Sequence, residues 1–427
     1  MATKKTKANR AVLEVHLDAA EIGPSTHIGN LFPQADRVDL APSFEYTQQW
    51  LNAPKAIPID PQLPLYAGEQ HSADGLGFGV FSDCAPDRWG RVLMERREAN
   101  AAEKEKRPMA KMNDLFYMLG VNDFTRMGAL RFRRGPDEPF LDDSPMPAPP
   151  ATDLRELAEV ARKLDGPRPE AMPEYEQWLS MLISPGTSLG GARPKATFTM
   201  ADGSLWLAKF PGHNDRYDWG SWEYLTYLLA LDAGIAMPKA ERVLLSERYF
   251  TYCVERFDRW STASGGEQSR RMYASAMTLV ERRDGQDGGS YLHVLEAIET
   301  FGGEGLTDDM HQLFRRAVFN LLVGNRDDHL RNHGFCLTPT GWRLSPAFDL
   351  DPNPAKSEHA LTWDGKSAAP SLNTLLATAP YYRLDDVAAK RVVNEVSAVV
   401  ATWQKRARQL EIPRPEIKMM ESVFAVG

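Results

Sequence analysis

The chain has 427 residues, 43% hydrophobic and 25% charged, the balance of a soluble globular protein, and its length calls for two or three domains or lobes. A net charge of −8 argues against nucleic acid as the main ligand. Three cysteines, Cys84, Cys253 and Cys336, lie too far apart in sequence for a metal-ligand spacing or a disulfide framework, and no apolar run reaches the roughly 18–20 residues of a membrane span, so a cytoplasmic protein is expected.

The opening MATKKTKANRAVLEV is basic without an apolar signal core and reads as a short mobile tail. Strand-like runs such as GALRFRR and a helix-like APDRWGRVLMERR, with Pro86 near its start, make up an N-terminal unit. The Lys/Arg-rich RREANAAEKEKRPMAKMN within it reads as a solvated helix face. A linker follows, Gly135 to Asp153, whose prolines and acids cannot build a core. The next helix is DLRELAEVARKL. A glycine-rich loop then leads into two strands that turn at Asp202-Gly203. WEYLTYLLALDAGI reads as an amphipathic helix ended by Gly234, and AERVLLSERYFTYCVERFDR as two more strands. From about Ser290 the pattern is mainly helical. Met310, Leu313, Phe314, Ala317, Val318, Leu321 and Leu322 keep i, i+3, i+4 spacing on a helix that stops at Gly324.

The polar stretch NRDDHLRNHGF starts at Asn325, one residue after that stop. A loop that leaves a buried helix is a place where a rigid scaffold can hold reactive groups. Asp327 and Asn332 are five positions apart, and Asp349 follows Asn332 by 17, after a short hairpin. Protein kinases space a catalytic aspartate and a metal-binding asparagine in this way, with a second metal-binding aspartate downstream. The aspartate takes or orients the proton of the attacking hydroxyl, and asparagine and aspartate oxygens suit magnesium. Asp328 is the rival base and Asp351 the rival of Asp349. A polar, hydrogen-bonded hairpin is the plain alternative for Asp328, His329, Arg331 and His333. Phe348 is expected to hold Asp349 at the end of a packed strand.

Lys209 ends an apolar strand, so its stem can pack while the ammonium reaches a cleft, and Glu223 on the next helix is its candidate partner. The alternative for that pair is a surface salt bridge. Gly190-Gly191 lets backbone N–H groups approach an anion, and Lys195 adds charge, although no Walker A loop is present. The backbone of Glu255 to Phe257 is a candidate edge for reading adenine, or a plain sheet edge.

Together SLGGARPKA, LAKFPG, WEYLTYLLALDAGI, VERFDR, NRDDHLRN and LSPAFDL resemble the HipA family of bacterial serine/threonine kinases, toxins of toxin–antitoxin pairs. SDCAPDRWGRVLMERR and MGALRF resemble that family's amino-terminal domain. The resemblance implies an α+β fold: a β-rich N-terminal domain over 1–134, the linker 135–153, a small kinase-like lobe over 154–260 and a helical C-terminal lobe over 261–427. It implies ATP and Mg2+ as cofactors and Asp327 as catalytic base. Asn332 and Asp349 match magnesium ligands, and Lys209 the phosphate-binding lysine. Gly190, Gly191, Ala192, Arg193, Pro194 and Lys195 match the loop over ATP, with Arg193-Pro194 where the family often has Gln-Glu or Gln-Pro. Glu255, Arg256 and Phe257 match the hinge, and His329 and Arg331 nucleotide-contacting positions. Ser188 matches an autophosphorylated serine whose phosphate silences the enzyme, with Thr187 and Ser184 close enough to substitute. The implied partners are a protein substrate such as an aminoacyl-tRNA synthetase and a HipB-like DNA-binding antitoxin, DNA being reached only through the latter. No membrane partner is expected.

Two other function classes remain open at this stage. One is a metal-dependent hydrolase with Asp327, Asp328, His329, His333 and Asp349 as ligands, which leaves Lys209 and the Gly-Gly loop without a task. The other is a binding module that acts as co-repressor with a DNA-binding partner.

Overall fold

The structure is a computed structural model that describes residues 12–33, 41–142, 148–183, 191, 193–246, 248–260 and 269–424. Residues 1–11 of the basic opening and the whole of Ser184 to Gly190 lie outside them, whereas Leu13 to Val15, expected to belong to a mobile tail, form part of a buried strand. In the N-terminal part, four antiparallel strands stand in the order Ser43–Tyr46, Thr26–Phe32, Leu13–Leu17, Leu130–Arg133. The last lies within the expected GALRFRR run. Val15, Leu31, Phe44 and Phe132 are fully buried on the core face. Gly29 admits the Phe44 ring: a Cβ there would lie 2.2 Å from Phe44 Cζ.

The expected N-terminal helix runs Arg88–Glu105, with the Asp87 carboxylate accepting from Gly90 N–H at 3.0 Å as its cap. Its Trp89 and Leu93 leave the N-terminal core. They pack with Leu157, Leu164 and Trp178, from the helices Leu154–Leu164 and Tyr175–Ile183, and with Phe198 and Phe210. The Pro/acid-rich segment is not a free spacer in its described residues. Arg131 lies 3.6 Å above the Phe140 ring, and Pro149 C=O accepts from Thr199 N–H at 2.9 Å. An aromatic anchor and extended proline backbone turn a coreless segment into a strap.

The small-lobe sheet is antiparallel, in the order Lys195–Thr199, Leu205–Lys209, Thr251–Glu255, Ala240–Val243. Its first turn has Gly203 at φ +82° and Asp202 Oδ1 accepting from Ser204 N–H. The helix Trp219–Asp232 crosses against this sheet, capped by Asp218 and followed by Gly234 at φ +73°. In the large lobe, Met310, Leu313, Phe314, Ala317, Val318 and Leu321 bury one face of the helix Leu306–Val323. Gly324, at φ +64°, ends it. The expected hairpin pairs Gly334–Thr338 with Gly341–Leu344, and Tyr273–Ser275 adds a third strand that sequence patterning did not indicate. Sheets and helices are segregated, so the fold is α+β, as expected. All three cysteines are buried free thiols, and no described helix is long and apolar enough to cross a membrane.

Candidate active site

Lys209 ends its strand with the side chain buried, and Glu223 lies one turn into the helix Trp219–Asp232. The Lys209 ammonium reaches Glu223 Oε1 at 2.5 Å and Asp349 Oδ1 at 2.6 Å. Three elements distant in sequence thus meet at one charge. Asp349 is not at a strand end, contrary to expectation: the strand stops at Leu344, and Asp349 sits on a turn at φ +59°. Phe348 does anchor it, stacked on Phe257 at 5.5 Å, while the Asp349 carbonyl accepts from Asn325 Nδ2 at 3.4 Å. A non-glycine residue in the left-handed region stores strain that the surrounding packing must hold.

Carboxylate oxygens of Glu223, Asp349 and Asp351 lie within 4.8 Å of one another. Burial raises the pKa of Asp349, but the Lys209 ammonium outweighs it and lowers the carboxyl to about 2. Burial and the charge of Asp349 push Glu223 up despite Lys209. Burial and the charges of Glu223 and Asp349 push Asp351 up in the same way. One oxygen of Asp351, Oδ1, is buried without a hydrogen-bond partner. Carboxylates in excess over the one ammonium, with an orphaned oxygen among them, fit a hard divalent cation such as magnesium.

The cleft has two ends that share Gly191, Lys209, Asn332 and Asp349. A polar end of about 390 Å³ is lined by Asp327, Asn332, Asp349, Asp351, Lys209 and Arg193. A larger end of about 700 Å³ has apolar walls from Leu207, Val254, Phe257, Ala347 and Phe348. His329, Arg331 and, from the N-terminal part, Asp83 and Arg88 complete it. Arg331 is paired with Asp284 at 2.5 Å, and His329 is exposed.

The two candidate bases separate cleanly. Asp328 is buried, with Tyr291 Oη at 2.5 Å, His333 Nε2 at 2.9 Å and Asn320 Nδ2 at 3.0 Å from its Oδ2. Burial raises its pKa, but His333 and the donated hydrogen bonds outweigh this and hold it ionised. Asp327 is 60% exposed, lines the polar end and pairs with Lys356. The same geometry splits the hydrolase ligand set. Asp328 and His333 are locked together below the loop, and no histidine joins the close carboxylate group among the described residues.

One loop residue is placed otherwise than expected. Lys195 does not offer free charge to the cleft. It is fully buried, 2.6 Å from Asp87 Oδ2 and 3.0 Å from the Gly191 carbonyl, because Asp87, the cap of the N-terminal helix, meets the start of its strand. The Arg256 side chain donates to Asp258 at 2.7 Å and the Thr125 carbonyl at 2.6 Å. The backbone N–H groups of Glu255 and Arg256 donate to Lys239 and Leu205 carbonyls, and Glu255, Arg256 and Phe257 all line the cleft at this edge. Arg193 pairs with Asp215 and stacks 5.0 Å from the Trp219 ring, and the Pro194 carbonyl accepts from Phe210 N–H at 2.8 Å. Gly191 has φ +69° and open space at its Cβ position. Gly190, Ala192 and Ser188 lie outside the described residues. Asp87 and Asn325 were missed from sequence: a cap residue and a loop asparagine carry no signal that they face a cleft.

The HipA-like C-terminal domain family matches residues 187–403, about half of the chain, and the HipA N-terminal domain family matches 20–132. A candidate kinase of Sinorhizobium fredii, Y4mE, is 25% identical over 326 residues, covering 72% of this chain and 71% of that protein. The serine/threonine-protein kinase toxin HipA of Shewanella oneidensis is 27% identical over 227 residues, 47% of this chain and 50% of that protein. Among solved structures, the complex of Shewanella oneidensis HipA with HipB and operator DNA includes a chain that aligns over 97% of this one and 95% of its own length. Its TM-score is 0.66 at 18% identity, a likeness of fold. Both halves of the domain pair are present, in that order, on a fold that superposes nearly end to end, and the chain belongs to the HipA family.

Proposed function

We propose that the chain is a Mg-ATP-dependent serine/threonine protein kinase and the toxin of a toxin–antitoxin pair. The observation that carries this is Lys209 held between Glu223 and Asp349 in a cleft onto which Asp327 and Asn332 also open. A phosphoryl-transfer site needs a cation for the phosphates, oxygen ligands for metal and a carboxylate near the acceptor. Leu207, Val254, Phe257 and Phe348 supply an apolar slot for a base, with Glu255 to Phe257 as hinge and His329 and Arg331 at the nucleotide. Lys209 binds phosphate, and Gly191, Arg193 and Pro194 border the same end of the cleft. Asn332 and Asp349 hold magnesium, which when bound neutralises phosphate charge. Asp327, exposed at the rim, accepts or orients the proton of a serine or threonine hydroxyl.

The acceptor in this reading is a translation component such as an aminoacyl-tRNA synthetase. Modification of Ser188 would put about −1.5 to −2 charges beside the nucleotide phosphates and silence the enzyme. A HipB-like antitoxin is the matching partner, because the similar Shewanella protein was solved with HipB and operator DNA. That complex also favours a second reading, co-repression through a DNA-binding partner, which is compatible with catalysis.

Purified protein, γ-labelled ATP and magnesium in a bacterial lysate test the proposal. Label on a protein supports the kinase, and label released only as inorganic phosphate supports a hydrolase. Transfer to neither, with retained binding to an antitoxin–operator complex, leaves the binding module.

A further inference from the structure

We infer that Asp87 of the N-terminal domain is a positioning residue for Gly191: its carboxylate anchors the Lys195 ammonium, which holds the Gly191 carbonyl at the edge of the cleft. The inference rests on the kinase reading and adds a task for the N-terminal domain in nucleotide binding. Lys195 is 0% exposed, and its Nζ is shared between Asp87 Oδ2 at 2.6 Å and the Gly191 carbonyl at 3.0 Å. An ammonium so placed cannot swing to a phosphate without leaving a buried carboxylate unpaired, a large penalty in a protein interior. Its reach to the cleft is therefore through Gly191, which lines both ends. A carbonyl bonded to an ammonium has its negative end offset by that charge, so its dipole opposes an anion in the cleft less.

The anchor itself is rigid. Asp87 is also the cap of an 18-residue helix, whose Trp89 and Leu93 are built into the small-lobe core. Four residues earlier, Asp83 accepts from Ser275 N–H at 2.7 Å, Ser275 Oγ at 2.9 Å and Thr278 Oγ1 at 2.7 Å. The segment Asp83 to Asp87 thus runs from Ser275 and Thr278 on the large-lobe side to Lys195 at the start of the strand Lys195–Thr199. It references the height of Gly191 to the opposite wall.

The full-length protein carrying Asp87→Asn keeps the size and capping acceptor and loses the charge. Calorimetry with Mg-ATP and with adenosine should show ATP binding weakened about 10-fold, the equivalent of about 1.4 kcal/mol, with adenosine unchanged. Asp87→Ser, which also retains a helix cap, should reproduce the selective loss should the Asn variant fold poorly. Lys195→Met should behave alike, and the double variant should be no worse than either single one. Tighter ATP binding in Asp87→Asn would mean that Lys195 is a phosphate ligand restrained by Asp87, and would overturn the inference. Equal loss of ATP and adenosine, additive losses, or no change would overturn it too. Wild-type protein that binds no ATP would instead sink the kinase reading, and this inference with it.

Discussion

Each charged residue in the cleft is defined by what it leaves unbalanced. Asp327 is the one of two adjacent aspartates without a buried partner, and it stands at the rim beside Asn332. Asp327→Asn should abolish phosphoryl transfer, a loss of about 10²–10⁴-fold or more, while Mg-ATP affinity measured by calorimetry stays close to wild type. Undiminished transfer in that variant would remove Asp327 as the base. Asp351 presents the opposite trade. Its orphaned oxygen beside Glu223 and Asp349 costs stability in the absence of a cation. Asp351→Asn should raise the melting temperature of the metal-free protein and weaken Mg2+ binding. A lowered melting temperature with unchanged Mg2+ affinity would show that the carboxylate is structural. The spacing of Asp327, Asn332 and Asp349 was legible in the sequence because a short loop and a hairpin convert spacing into proximity. That spacing also singles out Asp327 over Asp328; what it does not carry is what lies beneath Asp328, here Tyr291, Asn320 and His333.

Among elements, the helix Trp219–Asp232 decides whether Glu223 reaches Lys209. Gly220 lets it sit close to the sheet: a Cβ there would fall 2.1 Å from the Phe250 carbonyl oxygen. Gly220→Ala should force the first helical turn outward, lower stability by about 1–3 kcal/mol and reduce Mg-ATP affinity together. Thermal unfolding and calorimetry on the same sample check both, and unchanged values would show that the helix tolerates the shift. The helix itself was readable from its apolar positions and from Gly234, and the following strands from their apolar runs. The strand Tyr273–Ser275 was not readable: three residues carry no periodicity, and pairing with Gly334–Thr338 makes them a strand.

Across the whole molecule, the N-terminal domain is bound to the kinase-like lobes by charge as well as by apolar packing. Asp258, 1% exposed, takes Arg256 at 2.7 Å and Arg259 at 2.6 Å and accepts from Gly128 N–H at 2.9 Å. Burial raises its pKa, but the two guanidinium groups outweigh this and depress it strongly. A depressed folded pKa contributes stability that is complete above the unfolded value of about 3.9 and is lost as pH falls through the folded value. Asp258→Asn should cost about 3–5 kcal/mol near neutral pH. The gap to wild type in denaturant unfolding should narrow below about pH 4. A gap independent of pH would show that shape, not charge, is what Asp258 supplies.

The sequence by itself determined what depends on near neighbours. These are the helix ends at Gly234 and Gly324, the turn at Gly203, and the spacing of Asp327, Asn332 and Asp349. Backbone sterics and hydrophobic periodicity act over a few residues, so they can be read in one dimension. Only the tertiary structure decided where the buried charges go. Lys195 is claimed by Asp87 across 108 residues, and Arg256 by the carbonyl of Thr125 across 131. A charge taken out of water must find a partner wherever packing brings one, and no local pattern encodes that partner.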